Sequence, residues 1–235
     1  MIRMDQKRKL KFRHELKYVV SDAQLAMIRN RIHHLMPMDS NAGIKGMYVV
    51  RSLYFDDYAN RCYQENVNGT DPREKFRIRI YDHSTEHITL ECKRKVRGKT
   101  LKTSCPLTVE QTRMLMAGKT IPNIADQPEV LRKLTLQMMT KRMRPVVIVE
   151  YDRIPYVYPS GNVRVTLDMN ACSSSNVSTF LDEQIPKRPI MPRGQHLLEV
   201  KFDEYLPDFI RRNLNLHSLT LTAYSKYALC RKFTR

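Results

Sequence analysis

The 235-residue sequence predicts an α+β fold: a closed eight-stranded antiparallel β-barrel that forms a tunnel, with helices packed on its outside. Eight segments have strand-like patterns and do not alternate with helices as parallel βαβ units do. Several of them place aliphatic residues on one face and charged residues on the other. Helical segments with apolar stripes are available to cover an aliphatic barrel exterior. No Pro/Gly-rich linker divides the chain, so residues 1–235 are predicted to form one domain.

The predicted strands are defined by period-two alternation or by β-branched and aromatic content. The clearest case is segment 75–81, whose sequence KFRIRIY alternates throughout. The eight predicted strands cover residues 12–20, 48–55, 75–81, 87–93, 101–107, 146–158, 163–169 and 196–202.

Helices are predicted from their start and stop signals. Capping boxes, in which a Ser or Thr is followed three residues later by Gln, begin two of them. The four predicted helices lie after Ser21, between Thr108 and Gly118, between Asp126 and Pro145, and from Pro207 to about Leu216. Segments 39–46, 170–195 and 217–223 are predicted loops, and the length of the second predicts mobility.

The charge balance predicts a polyanionic partner. The chain has 41 Lys and Arg against 24 Asp and Glu, a net charge of +17, and such proteins commonly bind nucleic acid, a membrane surface or phosphate. Arg73, Lys75, Arg77 and Arg79 alternate, so in a strand they share one face at a spacing of about 6.5–7 Å. Like charges this close repel unless anions lie among them. The alternative is an edge strand protected by its charge.

Four further strands place charges on a single face, which weakens the edge-strand alternative. These charged or polar positions are Arg13, Glu15 and Lys17; Glu91 and Lys93; Arg164, Thr166 and Asp168; and Glu199 and Lys201. Barrel closure removes strand edges, and covering helices allow the charged faces to point inward. The sequence therefore predicts a basic tunnel whose natural ligand is a string of phosphates, because Arg forks and Lys ammonium groups bind phosphoryl oxygens.

Eight short segments, taken in order, carry a family resemblance. They read RHELKY at 13–18, SLYFD at 52–56, KFRIRIY at 75–81, LECK at 90–93, YDR at 151–153, RVTLD at 164–168, LEVK at 198–201 and SKY at 225–227. The series resembles the VTC domain, the polyphosphate polymerase domain of the vacuolar transporter chaperone family, within the triphosphate tunnel metalloenzymes. The resemblance extends from residue 12 to residue 227.

The resemblance implies a soluble polyphosphate polymerase that transfers the γ-phosphate of ATP to a growing polyphosphate chain. It implies a divalent metal cofactor, typically Mn²⁺, with Mg²⁺ as the other choice. ATP and inorganic polyphosphate are then the binding partners. The implied catalytic residues are Lys17, Arg77, Arg79 and Lys226; the implied substrate-binding residues are Lys75, Lys93, Arg153, Arg164, Lys201 and Ser225; and the implied metal ligand is Glu199.

Two positions depart from related patterns. Hydrolase relatives carry an ExExK motif near the N-terminus; here Arg13 replaces the first Glu, which favours the polymerase branch. Fungal polymerases have a Lys at the position of Ala223, so one phosphate contact is missing. The open alternatives are a non-catalytic polyphosphate-binding domain, favoured by Ala223, and an inorganic triphosphatase on the same fold. For Glu199 the alternative is a salt bridge to Lys201 or Arg164.

A nucleic-acid-binding module is a rival that the pattern disfavours. Single-strand binders interleave aromatic and basic groups so that bases stack, whereas Phe76 points away from the Arg73–Arg79 face and tryptophan is absent. We therefore predict no nucleic-acid partner. The five scattered cysteines form no CxxC pair and predict reduced thiols in a cytoplasmic protein. No signal peptide or transmembrane segment is predicted, and a membrane partner is left open.

Overall fold

A computed structural model describes residues 12–232 of the chain. All eight predicted strands are present, and a two-residue strand is added between the last two of them. The strands are β1 (His14–Ser21), β2 (Tyr48–Asp56), β3 (Arg73–Tyr81), β4 (Ser84–Val96), β5 (Lys99–Leu107), β6 (Arg144–Tyr158), β7 (Val163–Ser174), β8 (Arg188–Pro189) and β9 (Gln195–Phe202). They form one antiparallel sheet in the order β1-β9-β7-β6-β2-β3-β4-β5, and β8 pairs with β7.

The sheet curls until its two edge strands, β1 and β5, come together. They meet at one antiparallel bridge, where the N–H of Arg13 donates to the carbonyl of Thr100 at 2.9 Å and the reverse bond measures 3.0 Å. Side chains add to this contact, since Lys93 and Thr100 both bond to Glu15. The predicted eight-stranded antiparallel architecture is confirmed. The prediction of a closed barrel is overstated, because the two edge strands pair at only one bridge. Strand twist limits the length over which two edges can run together, so the result is a curled sheet joined at one point.

Six α-helices lie in the described part of the chain, and both predicted capping boxes are present. At Ser21 and Thr108 the hydroxyl accepts the N–H of the Gln three residues on, and the Gln side chain accepts the N–H of the cap residue. The helices are α1 (Asp22–His33), α2 (Arg61–Val67), α3 (Val109–Met116), α4 (Glu129–Lys141), α5 (Asp208–Asn213) and α6 (Lys226–Lys232). None of these helices is long and apolar enough to cross a bilayer.

Helices α2 and α6 were not predicted, and their N-termini are held in different ways. The residue before α2, Asn60, has a φ of 55° and makes no side-chain cap; instead, the carboxylate of Asp56 accepts the N–H of Cys62 at 2.9 Å. At α6 the hydroxyl of Ser225 accepts the N–H of Ala228 at 3.3 Å. Both helices are seven residues long, so no apolar periodicity marks them.

The aliphatic faces of the strands point outward and are covered by helices, in two separate clusters. In the first, buried residues of β2, β3, β4 and β6, among them Phe76 and Ile78, cluster with buried residues of α3, α4 and α6, among them Leu131 and Leu134. In the second, α1 and α5 cover β1, β7 and β9. The charged faces of the strands are therefore left to the inside of the curled sheet, as the sequence predicts.

The prediction of a loop over 170–195 is correct for most of the segment, but the segment is packed against the sheet and parts of it are strand. Strand β7 extends into this segment, β8 pairs with β7, and Phe180 is fully buried. A buried arginine holds the segment down: Arg51 pairs with Glu150 and donates to the carbonyls of Phe180 at 3.1 Å and Glu183 at 3.0 Å. The sequence pattern did not show this because the contacts are to backbone carbonyls that carry no residue signature.

The five cysteines form no disulfide, in agreement with the reduced thiols that the sequence predicts. Four of them are buried, and Cys172 is half-buried. The cytoplasmic location inferred from them stays a prediction.

Candidate functional site

A narrow cavity of about 70 Å³ lies inside the curled sheet and is lined by eight basic side chains and two carboxylates. Period-two alternation turns the strand residues among them inward, and the first turn of α6 adds Lys226. The cavity contains ten of the eleven predicted site residues: Lys17, Lys75, Arg77, Arg79, Lys93, Arg153, Glu199, Lys201, Ser225 and Lys226. Glu15 and three tyrosines complete its wall.

The eleventh predicted residue, Arg164, lines a wider cavity that adjoins the first. Its guanidinium donates to the hydroxyl of Tyr48 at 2.8 Å and pairs with Asp39 at 2.8 Å. About a third of the Arg164 side chain is exposed, so it lies at an opening rather than in the centre.

The central cavity continues into a second space on each side. On one side is a cavity of about 100 Å³ lined by residues that include Arg73, Lys95 and Ala223; we call it the narrow end. On the other side is the cavity of about 490 Å³ that includes Tyr81 and Arg164; we call it the wide end. Both share lining residues with the central cavity, so the three cavities adjoin one another inside the curled sheet, and together we call them the basic passage.

Strand register sets which charges face each other in the passage. Lys17 of β1 lies opposite Glu199 of β9, and this pair measures 3.5 Å between the ammonium and the carboxylate. In contrast, Lys75 of β3 lies directly opposite Lys93 of β4. Like charges directly opposite in a sheet repel, so this pairing creates a position that an anion stabilises.

Glu199 lies among four cations and is 5% exposed. Its carboxylate is 2.9 Å from Lys201, 3.2 Å from Lys226, and 3.5 Å from both Lys17 and Arg153. Burial alone would raise the pKa of Glu199, but Lys201, Lys226 and Lys17 hold it well below its usual value. The salt bridge to Lys201 that the sequence left open is present, and the side chain is anionic.

A second buried carboxylate fixes two of the predicted site residues. Asp168 is fully buried and accepts a two-pronged interaction from Arg153, at 2.6 and 2.7 Å, as well as a bond from Lys226. Burial would lower the pKa of Lys226, yet Asp168 and Glu199 raise it above its ordinary value. Lys226 is therefore a permanently charged group in a fixed position.

The two inward arginines of β3 are also held in place. Arg77 pairs with Glu91 at 2.6 Å and donates to the hydroxyl of Tyr54 at 2.9 Å. Arg79 donates to the hydroxyls of Ser52 at 3.1 Å and Tyr151 at 3.3 Å. These partners orient the guanidinium groups before any ligand arrives, which is the preorganisation that phosphoryl-transfer sites require.

Positive charge is least compensated toward the narrow end. The ammonium of Lys75 lies 3.4 Å from the Ser225 hydroxyl, and burial together with Lys93 and Lys17 holds its pKa well below the usual value. Lys93 pairs with Glu15, but burial and the neighbouring cations still lower the pKa of Lys93 to about 8. A bound anion relieves this crowding of cations.

The carboxylates of the passage do not form a metal cage by themselves. Within residues 12–232, no three or more His, Cys, Asp or Glu side chains are arranged to hold a metal ion. Mg²⁺ and similar hard cations are, however, often held by one or two carboxylates together with substrate phosphate oxygens. The donor set fits a cation that arrives with a phosphate chain and contacts Glu199.

The sequence analysis placed two further residues on charged strand faces without assigning them to the site. Glu91 shares the face of Lys93, and Asp168 shares that of Arg164, so alternation alone was a sufficient signal for them. The wall tyrosines Tyr54 and Tyr151 follow the same alternation, but aromatic residues in strands are usually core residues.

No local sequence pattern indicates that Asp56 helps to build the site. It is fully buried at the end of β2 and accepts the N–H groups of Cys62 at 2.9 Å and Tyr63 at 3.2 Å. It also accepts the hydroxyl of Tyr227, the residue after Lys226. Asp56 thus ties α2 to the first turn of α6, which carries predicted site residues into the passage.

Comparison with solved structures supports the fold. A candidate adenylate cyclase from Bacillus halodurans aligns with a TM-score of 0.57 at 15% identity, covering 96% of this chain and 98% of that chain. A candidate adenylyl cyclase from Hippeastrum, described as having a dominant triphosphatase activity, aligns with a TM-score of 0.58 at 11% identity, covering 96% and 97%. A protein from Pyrococcus horikoshii aligns with a TM-score of 0.51 at 14% identity, covering 94% and 98%.

These identities are low, so the likeness shows a shared fold and no more. Comparison with curated protein sequences yields no match. The model of one family, the VTC domain, matches residues 12–234. This match spans the whole sheet, all six helices and every residue that lines the basic passage. The chain therefore belongs to the VTC domain family.

Proposed function

We propose that the protein is a metal-dependent polyphosphate polymerase that transfers the γ-phosphate of ATP to a growing polyphosphate chain. The observation that carries the proposal is the passage itself: eight basic side chains converge on a cavity of about 70 Å³ that continues into a second space on each side. A linear phosphate chain and a nucleotide can therefore approach each other from opposite sides. The VTC domain match supports the same function.

Phosphoryl transfer requires positioning and charge neutralisation more than covalent chemistry by the protein. In the proposed reaction, a terminal oxygen of the polyphosphate forms a bond to the γ-phosphorus, the bond from that phosphorus to the β–γ bridging oxygen breaks, and ADP leaves with that oxygen. We assign Lys17, Arg77, Arg79 and Lys226 to the transferred group. The remaining phosphates are assigned to Lys75, Lys93, Arg153, Arg164, Lys201 and Ser225.

The metal is assigned to Glu199. When bound there, a divalent cation such as Mn²⁺ or Mg²⁺ neutralises charge on the phosphate oxygens. The surrounding lysines keep Glu199 ionised and thus able to bind a cation.

The protonation state of the carboxylates favours the polymerase over a triphosphatase. Hydrolysis assisted by a carboxylate would need that group to accept a proton from water, and a good base has a pKa near the working pH. Burial would raise the pKa of Glu15, but Lys93, Lys17 and Lys201 hold it well below its usual value, and Glu199 is lowered similarly. Both are weak bases. A phosphate acceptor is already an anion and requires no base.

A triphosphatase remains the second candidate, because the Hippeastrum protein that shares this fold is described as having triphosphatase activity. A non-catalytic polyphosphate-binding domain is the third. Ala223 favours it, because this residue lines the narrow end where a Lys would add a phosphate contact.

One incubation separates the three candidates. Purified protein is mixed with ATP and Mn²⁺, and products are resolved on a polyphosphate gel beside a phosphate assay and a control with excess chelator. Long chains that form only with the metal support the polymerase. Free phosphate without chains supports the triphosphatase. Neither product, with retained affinity for polyphosphate, supports the binding domain.

A further inference from the structure

We propose that a groove on the outer face of the sheet, between β1, β9 and α5, binds a long-chain fatty acid, with the carboxylate at Arg211 and Arg212 and the alkyl chain in the groove. The groove lies outside the basic passage and contains none of the residues assigned to the phosphates or to the metal. The inference therefore goes beyond the proposed function and does not depend on it.

The groove has an apolar wall and a suitable size. Its volume is about 370 Å³, within the range of about 300–1,000 Å³ that is common for cavities that bind small molecules. Period-two alternation turns Leu16 and Tyr18 of β1 outward, whereas Glu15 and Lys17 face the passage. The apolar wall consists of Leu16, Tyr18, Phe202, Leu206 and Leu216.

The floor of the groove is recessed, which favours an alkyl chain over a protein surface as its occupant. Tyr18 is 6% exposed, Leu206 5% and Leu216 8%. A flat protein surface contacts side chains that project, whereas a single chain of methylene groups can enter a concave site and cover its floor. Leu221 adds an apolar flank, because it is 59% exposed and bridges to Tyr18, so that both side chains lie on the same outer face.

The rim of the groove carries positive charge that no neighbouring carboxylate neutralises. Arg211 and Arg212, in the last turn of α5, line the groove together with His217. Among residues 12–232, neither arginine forms an ion pair with a carboxylate. Burial raises the pKa of the Tyr18 hydroxyl and Arg211 opposes that rise, so this guanidinium lies near the floor of the groove.

Charge complementarity therefore selects the head group of the ligand. An arginine fork binds a carboxylate through two parallel hydrogen bonds, so a fatty acid satisfies the rim and the floor together. A cationic amphiphile would meet two like charges, and a neutral one would leave both guanidinium groups without an anion.

The test is calorimetry with octanoate, decanoate and dodecanoate below their micelle concentrations, and with decanol as the neutral comparison. Each added methylene should tighten binding by up to about fourfold until the groove is filled. The double variant Arg211→Gln/Arg212→Gln should weaken decanoate by about tenfold or more, because hydrogen bonds to a charged group are lost. Its affinity for decanol should change by less than about twofold, since decanol has no charge to pair.

The matched control removes two arginines elsewhere. Arg132 and Arg142 are exposed, on α4 and at its C-terminal cap, and α4 belongs to the first hydrophobic cluster rather than to the second. Arg132→Gln/Arg142→Gln should bind decanoate as the unmodified protein does, because the charges that it removes are screened at that distance.

A second variant tests the apolar part of the site. Leu16→Trp places a large ring in the groove and should weaken decanoate and decanol alike, by about tenfold or more, because fewer methylene groups can be buried. The chain has no tryptophan of its own, so the emission of this ring also shows whether it is buried in the folded protein.

Four results would overturn the proposal. The unmodified protein does not bind dodecanoate; affinity does not depend on chain length; the two double variants weaken decanoate equally, so that overall charge is the cause; or folded Leu16→Trp keeps its affinity. Affinity for tripolyphosphate should stay unchanged in all three variants, because none of the substituted residues lines the passage. The proposed function is thereby tested separately.

Discussion

At the scale of single residues, the cations that line the basic passage differ in how far neighbouring carboxylates neutralise their charge. Arg153 and Lys226 share the buried carboxylate of Asp168, and Arg77 has Glu91. Lys75 has no such partner within hydrogen-bonding distance in the described structure and faces Lys93 instead. Buried cations that share carboxylates are held in place, whereas uncompensated ones gain most when an anion binds.

The metal assignment is tested by Glu199→Gln. We expect Mn²⁺-dependent turnover of ATP to fall by a factor of about 100 or more, because the metal neutralises charge during phosphoryl transfer. Polyphosphate should bind as well as before or more tightly, since the wall becomes more positive by one charge. Thermal stability is expected to fall under either role, because four cations lose their shared partner, so turnover and affinity are measured well below the melting transition.

Glu91→Gln is the matched control for that change. Glu91 is 2% exposed and pairs with Arg77 and Lys102, so its replacement changes the charge equally but away from Glu199. Because Glu91 orients Arg77, turnover is expected to fall here as well, but the Mn²⁺ concentration that gives half-maximal turnover should stay unchanged, whereas Glu199→Gln should raise it. Retained turnover in Glu199→Gln, or an equal rise in the required Mn²⁺ concentration in the two variants, would contradict the metal assignment.

Ligand affinity should depend on pH through Lys93. Its pKa of about 8 lies below that of an ordinary lysine, so the free tunnel loses this proton as the pH rises past 8, while a bound polyanion restores it. Binding then takes up a proton, and affinity for tripolyphosphate falls by up to about tenfold per pH unit above pH 8. Calorimetry in two buffers of different ionisation enthalpy, with chelator present, measures the uptake directly.

Lys93→Arg supplies the comparison, because an arginine stays protonated over this range. The variant should show a flatter pH dependence and less proton uptake. An unchanged slope would mean that another group, such as Lys75, is the one linked to binding.

At the scale of elements, the seven-residue helix α6 positions part of the site. It carries Lys226 into the passage, and its first turn follows Ser225. Seven residues do not form a stable helix alone, so tertiary contacts must hold it. The buried Asp56 provides one contact through the hydroxyl of Tyr227, and the ring of Tyr227 packs against Tyr54 at 5.1 Å.

Tyr227→Phe should therefore weaken ligand binding without touching a phosphate ligand. The hydroxyl bond to Asp56 is lost, and we expect the free energy of unfolding to fall by about 1–3 kcal/mol. Affinity for tripolyphosphate should fall by roughly fivefold, equivalent to about 1 kcal/mol, because Ser225 and Lys226 lose their fixed position. Both quantities come from urea unfolding and from calorimetry on fully folded protein.

Tyr156→Phe separates positioning from stability. Tyr156 is equally buried, at 1% exposed, and its hydroxyl is bonded to Arg29 in the second hydrophobic cluster. This variant is expected to lose stability but to keep its affinity. If the two variants lose affinity to the same degree, α6 is not positioned through Asp56.

At the scale of the whole molecule, eight basic side chains face one cavity inside the curled sheet, so the proposed site restricts the shape of its ligand. The net charge of +17 attracts any polyanion, but cavities of about 70 and 100 Å³ are too small for a nucleic-acid duplex. We therefore expect size and shape, rather than charge alone, to separate polyphosphate from DNA.

We expect linear polyphosphate to bind more tightly than duplex DNA at equal phosphate concentration and fixed salt. Arg79→Ala should weaken polyphosphate by about 1.5–3 kcal/mol, the range for a hydrogen bond to a charged group, and leave DNA binding unchanged because Arg79 is 6% exposed. Competition titrations at several salt concentrations measure both effects. Displacement of polyphosphate by equal amounts of DNA would mean that an exterior basic surface is the binding site.

The sequence by itself determined where the strands lie and which face of each strand is charged or aliphatic. The pattern KFRIRIY predicts both at once, because period-two alternation is a property of a few neighbouring residues. The eleven site residues came from the resemblance to the VTC domain, and ten of them line one cavity. The two capping boxes are equally local and were predicted to the residue.

Only the tertiary structure decided which charges compensate each other and how the sheet ends. Lys75 meets Ser225 across 150 residues of chain, and Asp56 meets Tyr227 across 171, so no local pattern relates them. The single bridge between Arg13 and Thr100 depends on the accumulated twist of eight strands. Local sequence determines which way a side chain points, whereas register and twist determine what it meets there.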